Sequence, residues 1–465
     1  MSVVDEAAAE AGIAAAETPA PQATDYGSRG YAWYVVYALA FVNLFSYLER
    51  FIPALLFTPI KKDFHLSDTQ VSLVAGFSFV IFYVAFGLLI GRMADRSNRR
   101  RIVIVGIVLW SLATACCGLA RSFGQLFLAR VAVGVGEATL GPTANSIISD
   151  YFPRATLPRA LSVYSAANYV GAGLALVVGG VVIATVARYT PPVLPLIGHV
   201  SAWQTTFLVV GLLGLTVLIP MIFVREPVRH NVAPDAKLGV SFAELIAFLK
   251  LNRGTFGALY GGFSISAVLG YATFTWIPTY FIRTFGWQQH TIGFVYGMMA
   301  AVLGTGGVLL GARVAEWIGA RGYTDTYFRT TIIAILVSAV PQFLSTLMPT
   351  AALSLTMLTI STLVGNFSVV LPIAAIGAIA PNQMRAQLLS IYLFTANILG
   401  LGIGPVFVAT ITDHVFHNEA MVGYSISAAT AIILPIVVVI LMLGLRPLRE
   451  SMARADAWAR RPAAG

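Results

Sequence analysis

Long apolar runs recur along this chain, separated by short polar gaps. A helix needs about 20 mostly apolar residues to cross a bilayer. Twelve stretches meet that condition, at residues 31–57, 71–92, 101–119, 124–150, 159–185, 203–224, 255–284, 291–314, 328–347, 351–380, 386–411 and 421–446. Several contain Pro or runs of Gly, which membrane helices tolerate because neighbouring helices supply the lost backbone partners. The longest and most polar gap, Arg225 to Arg253, divides the pattern into six plus six. Within it, SFAELIAFLK begins at Ser241 and has Glu244 three residues later. This is a capping box, so a short amphipathic helix is expected along the membrane surface. The pattern predicts an all-α membrane protein of two six-helix bundles, 31–225 and 255–447. A linker spans 226–254, and tails cover 1–30 and 448–465.

Charge orients these segments. Gaps after even-numbered segments hold most of the basic residues, such as Arg92, Arg96, Arg99, Arg100 and Arg101 after the second, and Arg154 and Arg159 after the fourth. Odd gaps hold only Lys61, Lys62, Arg121, Arg188 and Arg283. Positive residues mark the cytosolic side, so both termini are expected there. Residues 1–30 are rich in Ala, Glu and Pro and lack the basic start and apolar core of a signal peptide. They read as a disordered cytosolic tail.

Composition narrows the classes. Of the 465 residues, 58% are hydrophobic and 11% charged, against about 25% charged in a soluble domain. The net charge of +9 sits in the gaps between apolar runs, where it sets topology, so nucleic acid is not an expected partner. Cys116 and Cys117 are adjacent within one apolar run, which disfavours a structural disulfide or a metal site. The chain has no Gly-x-Ser-x-Gly, no His-Glu-x-x-His and no phosphate loop ending Gly-Lys-Ser/Thr. No enzyme activity, metal or organic cofactor is expected.

The two halves echo each other. GRMADRSNRRR from Gly91 follows the second segment, and GARVAEWIGARG from Gly311 follows the eighth. GAGLALVVGG (171–180) and GLGIGP (400–405) occupy matching places in the fifth and eleventh segments. Close helix packing alone explains Gly runs. Recurrence of both features at matching places is a mark of secondary transporters that work by alternating access.

On these residues the chain resembles the major facilitator superfamily. The motif Gly-x-x-x-Asp-Arg-x-Gly-Arg-Arg is close to GRMADRSNRR, with Asn98 in place of the second Gly; Asn suits a position that needs positive φ. LARVAVGVGEA around Arg130 resembles that superfamily's fourth-helix motif. NLFSYLERF, followed by RVAVGVGEATLGPTANSIISDYFPR, is most similar to the Spinster group, where Asp is common at the position of Glu49. The resemblance implies a bacterial-type member, a monomer in the inner (plasma) membrane, exporting an amphiphile such as a lysophospholipid or sphingosine-1-phosphate-like molecule among membrane lipids. It also implies a cytosolic gate built from Gly91, Asp95, Arg96, Arg99, Arg100 and Asp150, with Asp95 meeting the start of the eleventh helix near Met384 and Arg385. Such contacts would lock the halves together on the cytosolic side.

Of the 20 acids only Glu49 and Glu137 fall well inside the apolar segments, and of the basic residues only Arg50 and Arg130. Buried ionisable groups in a membrane usually mark an ion or substrate path. Arg130 and Glu137 share a helix face about 10 Å apart, and the Glu49–Arg50 pair falls at a depth between them. Adjacent residues on a helix point about 100° apart, so Glu49 and Arg50 need not pair with each other. The charges read as a proton-coupling site of Glu49, Arg50 and Glu137, with Glu49 the main proton carrier and Glu137 the alternative. Arg130 is expected either to attract an anionic head group or to pair with Glu137. A static cluster holding the first and fourth helices together also accounts for the four charges. Asn43 and Tyr47, with Tyr271, Phe274, Trp276, Tyr280, Asn366 and Asn397 of the second half, are the remaining substrate-site candidates. Polar groups in one half and aromatics in the other suit an amphiphile better than a sugar. A drug or organic-anion exporter, or uncoupled lipid flipping, is the alternative function.

Overall fold

The computed structural model describes residues 28–94, 97–153, 156–189, 193–194, 198–228 and 242–459. The expected tail up to residue 27, the gate residues Asp95 and Arg96, the cap Ser241 and residues 460–465 lie outside the described residues. Twelve helices are long and apolar enough to cross a membrane. Spans 1–6 are Arg29–Phe64, Asp68–Gly91, Arg99–Cys117, Phe123–Tyr151, Arg159–Val186 and Ala202–Ile222; spans 7–12 are Arg253–Phe285, Gln289–Gly319, Thr326–Ser345, Ala351–Ile379, Met384–Phe416 and Glu419–Ala455. All twelve expected segments are present, several longer than their apolar runs because polar residues continue the helix beyond the apolar stretch. Strands β1 (Val193–Leu194) and β2 (Gly198–His199) form a short antiparallel ribbon between spans 5 and 6.

Spans 1–6 and 7–12 form separate bundles. Span 1 lies along span 5, and span 3 along spans 4 and 6; in the second half span 7 lies along span 12, and span 9 along spans 10 and 12. The helix after span 6, Phe242–Leu251, buries Leu245 and turns Phe248 and Leu249 inward. That i, i+3, i+4 spacing is the apolar stripe of the amphipathic helix expected here. The start of span 1 and the end of span 6 meet on one face, hereafter the terminal face. There the Tyr31 and Tyr34 hydroxyls donate to the Phe223 and Pro220 carbonyls at 2.7 Å, partnering carbonyls that a helix end leaves free.

Several spans are irregular. Span 1 is two helices, Arg29–Phe51 and Pro53–Phe64, joined at Ile52. Pro53 has no N–H, so the Glu49 carbonyl four residues earlier loses its helical donor. π-Helical turns interrupt span 2 at Leu73–Phe77, span 8 at Ala300–Gly304, and span 11 at Ile398–Ile403 and Thr412–Phe416. Such turns often sit at functional sites.

The halves meet chiefly along two helix pairs, spans 5 and 8 and spans 2 and 11, and span 1 also touches span 7. Glycine permits both approaches. A Cβ at Gly297 would sit 2.5 Å from the Gly173 carbonyl oxygen, and one at Gly293 2.6 Å from that of Leu176. Gly76, in the π turn of span 2, lies against the Leu401 carbonyl in the π turn of span 11. Of the glycines that echo between the halves, Gly173, Gly180 and Gly402 face the other bundle, whereas Gly171, Gly179, Gly400 and Gly404 pack against helices of their own.

Candidate functional site

The four buried charges gather where span 1 breaks. Glu49 and Arg50 diverge as helical geometry requires. The Arg50 guanidinium reaches span 4, donating to Glu137 Oε2 from Nη2 at 2.6 Å and from Nε at 3.0 Å. Ser46 Oγ donates to the same oxygen at 2.6 Å. Aromatic rings enclose the cation: Tyr47, Phe79 and Tyr83 have their centroids 4.7, 4.7 and 4.9 Å from Arg50 Cζ. These contacts substitute for water around a charge that is 7% exposed.

Glu49 turns the other way, toward spans 3 and 6, and is fully buried. Its Oε2 accepts a hydrogen bond from Thr114 Oγ1 at 2.6 Å. Its Oε1 faces the Ser111 hydroxyl. Gly214 of span 6 lies against both groups, and a side chain there would fill their space. Among the described residues no cation lies within ion-pair distance of Glu49. The two carboxylates are therefore unequal: Glu137 is ion-paired, and Glu49 meets hydroxyls.

Arg130 does not pair with Glu137. It is fully buried, and Glu137 is held by Arg50 instead. Its Nη1 donates to the Glu49 carbonyl at 3.3 Å, and its Nη2 to the carbonyls of Arg50 at 3.2 Å and Ala75 at 3.3 Å. Backbone carbonyls at the break in span 1 provide acceptors that a regular helix would not offer, and no composition signal reveals them.

Beside this centre is a small gap between the halves, with room for about one water molecule, lined by Arg50, Phe51, Ala75, Gly76, Thr275 and Leu401 among others. Tyr271 and Phe274 of span 7 reach it through Phe51, with ring centroids 6.4 and 4.9 Å away. The other candidates from the second half lie apart from the charges. Trp276 packs on Phe57 and donates to the Pro405 carbonyl at 2.9 Å. Tyr280 is buried among Phe281, Phe285 and Gly423. Asn366 and Asn397 each donate to a carbonyl four residues back in their own helix. Asn43 donates to Asn168 of span 5, fastening span 1 to its neighbour.

The described residues of the expected gate all lie on the terminal face. On the terminal face Arg99 joins Asp150 and, at 2.7 Å, Glu226. The Arg100 backbone N–H donates to Glu226 at 2.8 Å, and its guanidinium donates to the Ile222 carbonyl at 2.8 Å. These contacts tie spans 3, 4 and 6 within the first half and do not join the halves. Gly91 has open space around it save Pro142. Asn98 has φ −70° and caps span 3, accepting from the Arg101 N–H at 2.9 Å. It serves as an N-cap, so the positive φ expected there is not needed.

Among the described residues, the ion pairs that cross between the halves sit on the opposite face. Asp68, 1% exposed, accepts from Arg283 at 2.7 and 2.8 Å and from Lys61 at 2.7 Å. Lys61 also pairs with Glu419 at 2.9 Å. Asp413 accepts from the Thr69 N–H and hydroxyl, both at 2.7 Å, capping span 2 from the other half. This structure is therefore closed on the face away from the termini. In the sequence these residues read as loop charges; the one local signal is the Ser67–Gln70 capping box that starts span 2.

Comparison with known proteins agrees with this architecture. The chain is 28% identical over 408 residues to an MFS-type efflux pump of Mycolicibacterium smegmatis, covering 85% of this chain and 89% of that protein. It is 30% identical over 300 residues to protein spinster homolog 1 of Xenopus tropicalis, covering 61% of this chain and 54% of that protein. The chain thus spans about half the length of the spinster proteins it matches. A solved bacterial homologue of the human lysosomal transporter Spinster, inward-facing and occupied, superposes with a TM-score of 0.74 at 24% identity, over 94% of this chain and 100% of that one. Residues 39–405 match the family profile described as Major Facilitator Superfamily. With twelve spans in two bundles, an interface of paired helices and buried charges at its centre, this chain belongs to the Major Facilitator Superfamily of transporters.

Proposed function

We propose that this protein is a proton-coupled transporter that exports an amphiphilic, lipid-like molecule by alternating access, with both termini in the cytosol. The observation that carries the reading is the inequality of the two buried carboxylates. Glu49 takes up or releases a proton without breaking an ion pair, and its Oε1 adjoins the Ser111 hydroxyl. Protonation turns that oxygen into a donor for which an acceptor is already in place. Glu137, bound to Arg50 and Ser46, serves to hold the cation at the gap between the halves. The amphiphile reading draws support from the aromatic rings of Phe51, Tyr271 and Phe274, which lie together at the end of the helix that carries Arg50.

Proteoliposomes carrying a pH gradient and a labelled lysophospholipid test this. Gradient-driven movement is expected, and Glu49→Gln should abolish it while binding persists. Full gradient-driven activity in Glu49→Gln would refute the proton role, and movement indifferent to the gradient would mean uncoupled flipping. The similarity to a mycobacterial efflux pump along most of both chains favours a second reading, export of a drug or small organic anion. Thermal stabilisation by small anions and by no lysolipid would select it.

A further inference from the structure

We infer that Asp413 is the latch by which span 11 holds span 2 when the face away from the termini is closed. A helix begins with N–H groups that have no partner within it. At the start of span 2 the cap is divided between the halves. Ser67, of the first half, accepts from the Gln70 N–H at 3.1 Å. Asp413, of the second, accepts from the Asp68 N–H at 3.3 Å and from the Thr69 N–H and hydroxyl, both at 2.7 Å. Among the described residues, every hydrogen bond of this carboxylate crosses to the other half. No described cation lies within ion-pair distance of it. The neighbouring Lys61 and Arg283 are taken by Asp68 and Glu419. The charge of Asp413 is met instead by the positive end of span 2.

The latch is anchored on its own side and in register on the other. Asp413 lies in the π turn Thr412–Phe416, and Thr412 ties that turn to span 12 by donating to Ser425 at 2.8 Å. Further along the same helix pair Gly402 lies against Val80, where an added Cβ would come within 3.0 Å of the valine side chain. Thr69 to Val80 and Gly402 to Asp413 are each eleven residues, about three turns. The cap and the glycine contact are thus two points of one antiparallel register. Because donor and acceptor belong to different halves, opening this face must break the cap, whereas a cap within one half would survive. This inference rests on the proposed alternating access only in that the face must open. Its readout is helix position, so it stands or falls independently of substrate and of proton coupling.

The experiment measures distances by double electron–electron resonance in full-length protein with Cys116→Ala and Cys117→Ala. One label pair, Lys62 and Val415, spans the closed face beside the cap. A second, Lys62 and Thr284, spans it between spans 1 and 7, with neither label on span 11; Lys62, Thr284 and Val415 are all exposed. Asp413→Ala is expected to lower the ratio of closed to open molecules at least about fivefold in both pairs, roughly the effect of losing a helix cap. A parental ratio overturns the inference. So does a change confined to the Val415 pair, which would mean that only the end of span 11 has loosened. Thr69→Val removes one donor of the cap and no charge. It should lower the ratio about twofold in the parent and leave it unchanged in Asp413→Ala, as residues that act through each other do. An equal effect in both backgrounds, or none in either, overturns the latch. Should Asp413→Ala not fold, Asp413→Asn carries the same comparison: a fall of about twofold or more in both pairs supports the latch, and a parental ratio overturns it.

Discussion

Glu49 and Arg50 share one turn of helix but not one environment. The 100° between neighbours sends the carboxylate to the Thr114 and Ser111 hydroxyls and the guanidinium to Glu137 and a ring of aromatics. The space for Glu49 exists because residue 214 has no side chain. Gly214→Ala would bring a methyl against Glu49 Oε1 and Ser111 Oγ. The variant is expected to lose about 1–3 kcal/mol of stability, as overpacked cores do, and to move gradient-driven transport toward the behaviour of Glu49→Gln. Thermal unfolding in detergent measures the first and proteoliposome uptake the second. Parental values in both would show that the carboxylate does not depend on this space.

At the scale of elements, irregularity is concentrated where helices must do more than cross the bilayer. The Pro53 break and the π turns of spans 2, 8 and 11 all lie in spans that touch the other half. Glycine lets the π-turn helices approach their partners in the other half to backbone distance. Without an aqueous hydrophobic drive, helix association in lipid relies on such close contact. Gly297→Leu should therefore wedge span 8 from span 5 and populate molecules open at the face away from the termini. The Lys62–Val415 distance is expected to lengthen in most molecules, and an unchanged distance would show that this crossing does not hold the face shut. The glycine echo and the helix content were legible in the apolar pattern. The π turns were not, because an inserted residue in a helix leaves the apolar composition unchanged.

For the molecule as a whole, the ion pairs that join the two halves among the described residues are at one end. Asp68 binds Arg283 from span 7 and Lys61 from span 1, all largely buried. Breaking a buried pair by removing one partner costs roughly 3–5 kcal/mol, because the other charge is left uncompensated. Asp68→Asn should shift the equilibrium strongly toward molecules open at that face, read from the same label pair. Raising salt should change the parent little, since buried pairs are only weakly screened. A closed distribution in Asp68→Asn would assign closure to the other contacts between the halves.

What the sequence by itself determined follows from solvation. Twelve apolar runs, the division into halves, the surface helix of the linker and the four buried charges all express the cost of placing polar groups in hydrocarbon, and that cost is local in the chain. Tertiary structure alone decided the pairings. Arg50 rather than Arg130 holds Glu137, Arg130 binds backbone carbonyls, and Lys61, Asp68 and Arg283 become a closure between halves. Each of these depends on residues tens to hundreds of positions apart meeting at a few ångströms. It depends also on carbonyls freed by helix defects, which carry no letter of their own in the sequence.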